Sequence, residues 1–177
     1  MLLDLLRERR SIRKFTDQKI EEETLDILIE AVLRSPSSRS LNPWEFVVVT
    51  DKDTIGALAR SKTHGSSFLA GAPLAVVVCA DPATSDVWVE DTSIASLLLH
   101  LCAADLGLGS CWIQIRNRQH DKKIDSDTYV KGILNLKPDM AVEAIVAIGY
   151  SAEDKSGHAA DTLLYERVSY EKYGNRR

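Results

Sequence analysis

The spacing of apolar and polar residues predicts a chain in which helices alternate with strands. The clearest helix pattern covers residues 21–34, where four aliphatic residues recur at i, i+3, i+4 and i+7, starting from Leu25. Ser35-Pro36 is expected to end this helix, because a residue that precedes proline avoids the helical conformation. The run Leu74–Ala80 is apolar on both faces, which predicts a central strand that is covered on both sides.

The other elements follow from the same patterns and together predict one sheet with helices on its faces. Helices are expected at residues 2–10, 90–106 and 128–136, and Lys137-Pro138 is expected to end the last of these. Another helix is expected to be capped by Asp53 and to end near Ser61. Further strands are expected at residues 45–50, 110–115 and 142–148. Residues 12–16 are expected to be extended. A single domain therefore spans residues 1–177, and residues 151–177 form a polar C-terminal arm.

The predicted helix at residues 90–106 lacks a broad polar face. Apolar residues occupy most of its circumference, and Gly107 follows as a natural C-terminal cap. A helix of this kind must be buried. In a chain of 177 residues, we expect a second subunit to provide part of the cover. His100 lies within this helix and is expected in the core or in an interface.

Composition narrows the function classes. The net charge is −4, so the chain as a whole does not attract nucleic acid. Three cysteines, without a Cys-x-x-Cys pair, predict free thiols in a reducing compartment, and we expect a cytoplasmic protein. Four scattered histidines lack metal-ligand spacing. The longest apolar runs are too short to cross a membrane. The sequence contains neither Gly-x-Gly-x-x-Gly nor a P-loop, so a nicotinamide cofactor is expected as a transient substrate.

A local cluster of positive charge stands out against this acidic background. Arg9-Arg10-Ser11-Ile12-Arg13 places three guanidiniums and one hydroxyl within five residues. Guanidiniums bind phosphate through paired hydrogen bonds, so the cluster suits a small phosphorylated ligand. The alternative is a solvated helix end, where cations interact favourably with the helix dipole.

Several motifs in order give a family resemblance. The chain reads Arg-Arg-Ser-x-Arg-x-Phe at residues 9–15 and Pro-Ser-Ser-x-x-x-x-Pro-Trp-x-Phe at residues 36–46. Ala72-Pro73 precedes an apolar strand, Gly-Leu-Gly-Ser-Cys-Trp-Ile occupies residues 107–113, and Ala-Ile-Gly-Tyr occupies residues 147–150. In this order and spacing, over roughly residues 2–173, the chain resembles the FMN-dependent nitroreductase family.

The resemblance implies an α+β fold, in which helices flank a central, mainly antiparallel sheet, and an intertwined homodimer that holds FMN between its subunits. It implies three groups of cofactor-binding residues: Arg9, Arg10, Ser11 and Arg13 near the phosphate and ribityl chain; Ser37, Ser38, Ser40 and Asn42 in a loop from the partner; and Trp112, Ile113, Gln114 and Ile115 beneath the reactive edge of the flavin. The serine loop also admits a simpler interpretation as a helix stop made of turn-forming residues. No catalytic acid, catalytic base or metal site is predicted, because the flavin carries the hydride.

The chain departs from its relatives in two places. Gln114-Ile115 stands where some relatives have Glu-Gly, and a missing carboxylate there would change how the protein tunes the flavin. Many relatives add a Lys-x-Arg pair after Gly-Tyr, which reaches the phosphate. Here Lys155 or His158 would have to substitute, although a solvated loop is the favoured interpretation for both residues.

The function that the resemblance implies is an oxidoreductase with alternating half-reactions. NADH or NADPH donates a hydride to FMN, and a small electron-poor acceptor such as a nitroaromatic or a quinone then receives the electrons. One alternative is a flavin-binding carrier or redox sensor without efficient turnover. Another is a different flavin chemistry known in the family, such as reductive dehalogenation or flavin breakdown.

Overall fold

The computed structural model describes residues 1–176 and shows a four-stranded sheet between two layers of helices. In chain order, the elements are α1 (Leu2–Glu8), α2 (Glu22–Leu33), β1 (Trp44–Val49), α3 (Lys52–Leu58), β2 (Leu74–Ala80), α4 (Trp88–Asp105), β3 (Gly109–Gln114), α5 (Ser126–Leu134) and β4 (Ala141–Gly149). Short 3₁₀ turns occur at Ser38–Ser40, Ser67–Gly71, Ala160–Thr162 and Tyr165–Arg167. No helix within residues 1–176 is both long enough and apolar enough to span a membrane.

The sheet has the strand order β1-β2-β4-β3, and all three pairings are antiparallel. Strand β2 matches the predicted central strand, and every one of its residues is buried. A register shift between Val78 and Cys79 interrupts the pairing of β2 with β4. Such a bulge re-aims the side chains of a strand. The predicted α+β class with a mainly antiparallel sheet is therefore confirmed.

Each face of the sheet has its own apolar core. Helices α3 and α5 cover one face, where Ile55, Leu58 and Val130 pack against β2 and β4. Helices α2 and α4 cover the other face, where Leu28 and Leu99 are almost fully buried. Burial on both faces explains why the two central strands are nearly continuous apolar sequences.

Several helix ends differ from the prediction. Helix α1 ends at Glu8 and not at residue 10, α4 spans Trp88–Asp105 and not residues 90–106, and the ends of α3 and α5 also differ. Asp51, and not Asp53, caps α3, because its carboxylate accepts a hydrogen bond from the N–H of Thr54 at 2.8 Å. Helix α5 begins two residues earlier than predicted, capped by Asp125. It ends at Leu134, because the next residue, Asn135, adopts the left-handed conformation (φ 53°) and stops the helix before Lys137-Pro138. More than one acidic residue near the start of each helix could cap it, and the course of the backbone decides which one does.

Helix α4 has two apolar faces, and the rest of the described chain covers one of them. Ala95, Leu99 and Ala103 are buried against the sheet. The opposite stripe is spaced at i, i+3, i+4 and i+7 and consists of Ile94, Leu97, Leu98 and Leu101. Ile94 is 42% exposed and Leu97 is 52% exposed. The sequence-based expectation of a helix that needs cover beyond its own chain fits this open stripe.

Candidate active site

The Arg9–Arg13 segment is held along the free edge of β3. The N–H of Ile12 donates to the carbonyl of Ser110 at 2.9 Å, and Ile12 is buried. Gly109 permits this close approach, since a Cβ at that position would lie 2.8 Å from the Ile12 side chain. A larger residue at Gly109 would push the segment away from the sheet. Residues 11–13 are therefore fixed by the sheet edge and do not form a mobile tail.

The side chains of Arg9 and Ser11 open into a cavity of about 230 Å³ between the segment, α4 and β3. The remaining lining residues are Ser93, Leu97, His100 and Trp112. Within residues 1–176, the guanidiniums of Arg9 and Arg13 donate no hydrogen bond, and that of Arg13 lies 5.7 Å from the ring centre of Phe68. Arg10 differs from both, because its guanidinium donates to the carbonyl of Ser156 in the C-terminal arm.

His100 forms the floor of this cavity beside Arg9. Its Nδ1 lies 2.7 Å from the hydroxyl oxygen of Ser110. Burial, and secondarily the nearby charge of Arg9, lowers the pKa of His100 to about 4. The imidazole is therefore neutral at neutral pH, and the positive charge of the cavity comes from arginine. The prediction that His100 is a core or interface residue is consistent with its burial.

The depressed pKa of His100 predicts a pH-dependent stability. In the unfolded chain, the imidazole takes up a proton near its ordinary pKa of 6.5, whereas in the fold it does so only near 4. The free energy of unfolding should therefore fall as the pH drops from 6.5 towards 4, with a slope of up to about 1.4 kcal/mol per pH unit from this one group. His100→Gln should flatten the slope in urea titrations across this range. The control Gln119→Ala, at an exposed residue without an ionisable group, should keep the wild-type slope.

The end of β3 carries a connected polar network on the same face of the sheet. The indole N–H of Trp112 donates to Oε1 of Gln114 at 2.9 Å, and Nε2 of Gln114 donates to Oε1 of Glu143 at 3.2 Å. Glu143 lies on β4, and its Oε2 is buried without a hydrogen-bond partner among the described residues. Burial raises the pKa of Glu143, while the Gln114 amide and Arg116, 4.0 Å away, oppose this rise. The Gln114 side chain is thus held in one orientation.

The backbone of this strand end limits which groups can reach a ligand. The N–H of Ile115 donates to the carbonyl of Glu143 at 3.0 Å, so it is already bonded within the protein. Successive N–H groups of a strand point in opposite directions, and that of Gln114 is therefore directed toward the open edge. Ile113 and Ile115 are buried in the core on the other face. Among the four predicted residues, Trp112 and Gln114 are best placed to meet a ligand.

The serine loop is anchored near the N-terminal end of α4. The N–H of Ser38 donates to Oδ1 of Asp91 at 2.8 Å, and the Ser37 hydroxyl bonds to Asn42 at 2.7 Å. Ser40 and Asn42 have φ of 55° and 48°, so the loop is tightly wound. Asp91 lies on a different face of α4 from Ser93, Leu97 and His100, which line the cavity beside Arg9, because successive residues of a helix are rotated by about 100°. Within one chain, the serine loop and the cavity therefore contact different sides of this helix.

The structure also shows residues that the motifs did not reveal. Asp91 anchors the serine loop, and Glu143 orients Gln114. The sequence does carry a signal for Glu143, a lone carboxylate within the apolar run Ala141–Gly149. Lys155 corrects the favoured solvated-loop interpretation, because its Nζ is bonded to the Ser11 carbonyl at 3.0 Å. His158 is exposed, as that interpretation expects.

Two other openings offer less suitable chemistry for an anion. A groove of about 450 Å³ between α2, β1 and α4 has no lysine or arginine in its lining. A pocket of about 240 Å³ on the Ile12 side of the segment contains Arg9, Arg10 and Lys155, but also three carboxylates, Glu8, Glu153 and Asp154. Carboxylates repel an anion. The cavity beside Arg9, Ser11 and Trp112 is therefore the candidate active site.

Comparisons with known proteins identify the family of this chain. The family model described as the nitroreductase family matches residues 6–62 and 56–150. The solved structure of an FMN-dependent nitroreductase from Clostridium difficile R20291 superposes with a TM-score of 0.95 and 44% identity, covering 97% of this chain and 99% of that chain. A protein of Archaeoglobus fulgidus with the provisional name NADH dehydrogenase/NAD(P)H nitroreductase is 32% identical over 176 residues, covering 97% of this chain and 98% of the relative.

A further relative, the NADH dehydrogenase of Thermus thermophilus, is 28% identical over 197 residues and covers 90% of both chains. The resemblance drawn from the motifs is confirmed, and so is the nitroreductase-like fold. The match spans the Arg9–Arg13 segment, the serine loop and both central strands. The chain belongs to the nitroreductase family.

Proposed function

We propose that this chain is an NAD(P)H-dependent oxidoreductase with FMN as its cofactor, and that it reduces small electron-poor acceptors such as nitroaromatics or quinones in alternating half-reactions. The names of its relatives support the oxidoreductase class and the flavin. The acceptor class and the alternating order are the further steps of the proposal.

The observation that carries this proposal is the pair Arg9 and Ser11 at the mouth of the cavity lined by Trp112. A phosphate monoester needs cationic and hydroxyl donors, and the guanidiniums of Arg9 and Arg13 are not bonded to other described residues. The Trp112 side of the cavity provides an apolar surface for an aromatic ring system. This donor set fits FMN.

When bound, FMN supplies the redox chemistry, taking a hydride from the nicotinamide and passing two electrons to the acceptor. The protein provides position and electrostatics. Arg9, Ser11 and Arg13 would hold the phosphate, and the outward N–H of Gln114 would face the ring edge. The hydrogen bond to Glu143 prevents the side-chain amide of Gln114 from rotating. The position of this side chain relative to the backbone N–H of Gln114 is therefore fixed.

We infer that the working unit is an intertwined homodimer in which two chains share each site. The serine loop and the arginine cavity of one chain contact different faces of α4, so the serine loop that completes each cavity would come from the partner. The open stripe of α4, with Leu97 at its centre, offers the apolar surface for such contact. The arm adds exposed apolar residues, among them Leu163, Leu164 and Tyr165, which suit wrapping over a partner.

The three cysteines support a reducing location such as the cytoplasm. All are free, and burial raises the pKa of the Cys79 thiol to about 12. Thiols of this kind are inert, and they occur in compartments that do not form disulfides. Fractionation of source cells with an antibody would test the placement.

The experiment that tests the function begins with the purified protein. It should be yellow, with about one FMN per chain released on denaturation. Anaerobic mixing with NADPH or NADH should bleach the flavin absorbance, and adding a quinone or nitroaromatic should restore it. Initial rates at several acceptor concentrations should give parallel double-reciprocal lines. A yellow protein whose flavin neither nicotinamide bleaches would instead support the carrier or sensor. A colourless protein that FMN cannot reconstitute would exclude the flavin itself.

A further inference from the structure

The start of the C-terminal arm forms a clamp on the arginine segment. Oε1 of Glu153 accepts hydrogen bonds from the backbone N–H groups of Arg13, at 2.6 Å, and of Lys14, at 3.3 Å. The same oxygen accepts from Nζ of Lys155 at 2.8 Å. Lys155 also donates to the carbonyl of Ser11 at 3.0 Å, so the two side chains grip both ends of residues 11–14.

Backbone pairing supports the same arrangement. The N–H of Ala152 donates to the carbonyl of Lys14, and the N–H of Thr16 donates to the carbonyl of Tyr150, both at 2.9 Å. Strand β3 holds the other edge of the segment through Ile12. The segment is thus held by β3 on one side and by the start of the C-terminal arm on the other. Glu153 contacts the segment at Arg13 and Lys14, just after its hydrogen bond to β3. Extended backbone without such partners would leave its N–H groups to water.

The charge of Glu153 makes its position informative. A carboxylate close to a phosphate site repels the phosphate, so simple electrostatics would disfavour an acidic residue here. Three donors converge on this carboxylate, and the Arg13 N–H is the leading cause that lowers the pKa of Glu153 to about 2. The neighbouring Asp154 has the same charge and lines the same pocket, but within residues 1–176 it makes no hydrogen bond or ion pair. Of these two adjacent carboxylates, only that of Glu153 forms hydrogen bonds with other described residues.

We propose that Glu153 and Lys155 are positioning residues, which hold residues 11–14 in the shape that presents Arg9, Ser11 and Arg13 to the phosphate of FMN. The inference rests on the proposed function, because it assumes that FMN is the ligand. Lys155 acts here through the Ser11 carbonyl and the Glu153 carboxylate and is not itself a phosphate ligand. Loss of the clamp should weaken mainly the contacts with the phosphate end of the ligand. A general loss of folding would instead weaken binding of the whole ligand.

The test compares two adjacent carboxylates of equal charge. Flavin-free protein carrying Glu153→Ala, Glu153→Gln or the control Asp154→Asn is titrated with FMN and with riboflavin, which lacks the phosphate. We expect Glu153→Ala to weaken FMN binding about tenfold or more, because segment order is lost, even though a negative charge has been removed. Glu153→Gln should lose less, since its amide oxygen still accepts from Arg13. Riboflavin binding should change much less, and Asp154→Asn should leave FMN binding unchanged or slightly tighter.

A purely electrostatic role would give the opposite result. If Glu153→Ala and Glu153→Gln leave FMN binding unchanged or tighten it, as expected for Asp154→Asn, the clamp is overturned. Equal losses for FMN and riboflavin would overturn it as well, because they would indicate a general loss of structure.

Amide hydrogen exchange in the flavin-free protein provides a readout that does not depend on FMN. The amides of Arg13 and Lys14 should exchange faster in Glu153→Ala than in wild type or Asp154→Asn, while the amides of β2 stay protected. Unchanged exchange at Arg13 and Lys14 would overturn the clamp even in a protein that binds FMN. A wild-type protein that binds no FMN but shows this exchange pattern would refute the proposed function and, with it, the phosphate-positioning role, leaving the clamp as a structural contact.

Discussion

Ile94→Glu is expected to abolish the dimer and the bound flavin together. Ile94 is 42% exposed in the single chain and lies in the open stripe on α4, outside the lining of the candidate active site. A carboxylate there is solvated in the monomer and should not disturb the core. In the proposed dimer it would be buried without a partner, at a cost of about 3–5 kcal/mol. Sedimentation velocity should then show a folded monomer, and the protein should be colourless.

The control for this change is Ile124→Glu, which introduces the same charge at a residue 37% exposed in the loop before α5, away from the α4 stripe. It should leave both the dimer and the flavin intact. Wild-type protein should also be diluted stepwise while flavin fluorescence and sedimentation are followed, because the two should change at the same concentration. A folded monomer that retains its FMN would contradict the shared site and leave the phosphate assignment standing.

Arg9→Ala should weaken FMN binding by roughly ten- to a hundredfold, and Arg13→Ala should have a similar effect. A hydrogen bond to a charged group contributes about 1.5–3 kcal/mol, and about 1.4 kcal/mol corresponds to one factor of ten in affinity. Neither guanidinium is bonded to another described residue, so its removal should cost little folding stability. The dissociation constant is measured by titrating flavin-free protein and following flavin fluorescence.

Riboflavin and a remote arginine serve as controls. Riboflavin should bind wild type poorly and should be affected much less by either change. Arg34→Ala removes an exposed arginine whose ion pair with Glu30 lies on α2, and it should not alter FMN binding. Equal losses of FMN and riboflavin in the Arg9 and Arg13 variants would show that these arginines support the structure of the segment and do not bind phosphate.

The elements of this fold were predictable wherever a local pattern suffices. Leu74–Ala80 was predicted with the boundaries that the structure shows, because a strand buried on both faces must be apolar at each position. Helix α2 was predicted within one residue at each end, since its apolar spacing and Pro36 mark its extent. Helix ends depend on single hydrogen bonds, and the assignment of the α3 cap to Asp53 was therefore wrong by two residues.

The residues of the candidate site were likewise predictable where they stand in local motifs. Arg9, Ser11, the serine loop and Trp112 stand in local motifs, and the resemblance named them together as candidates. The serine loop and the cavity beside Arg9 contact different faces of α4, which only the tertiary structure shows. The cofactor roles of the individual residues remain predictions, to be tested by the titrations above.

The sequence by itself determined the class of fold, the family and the segments that carry the chemistry, because each of these is written in residues that are close along the chain. Only the tertiary structure decided which polar groups meet. Glu143 reaches Gln114 through the pairing of β3 with β4, and Glu153 reaches Arg13 from 140 residues away. Such contacts depend on strand register and on the path of the arm, and both are fixed by the packing of the whole core and not by any local pattern.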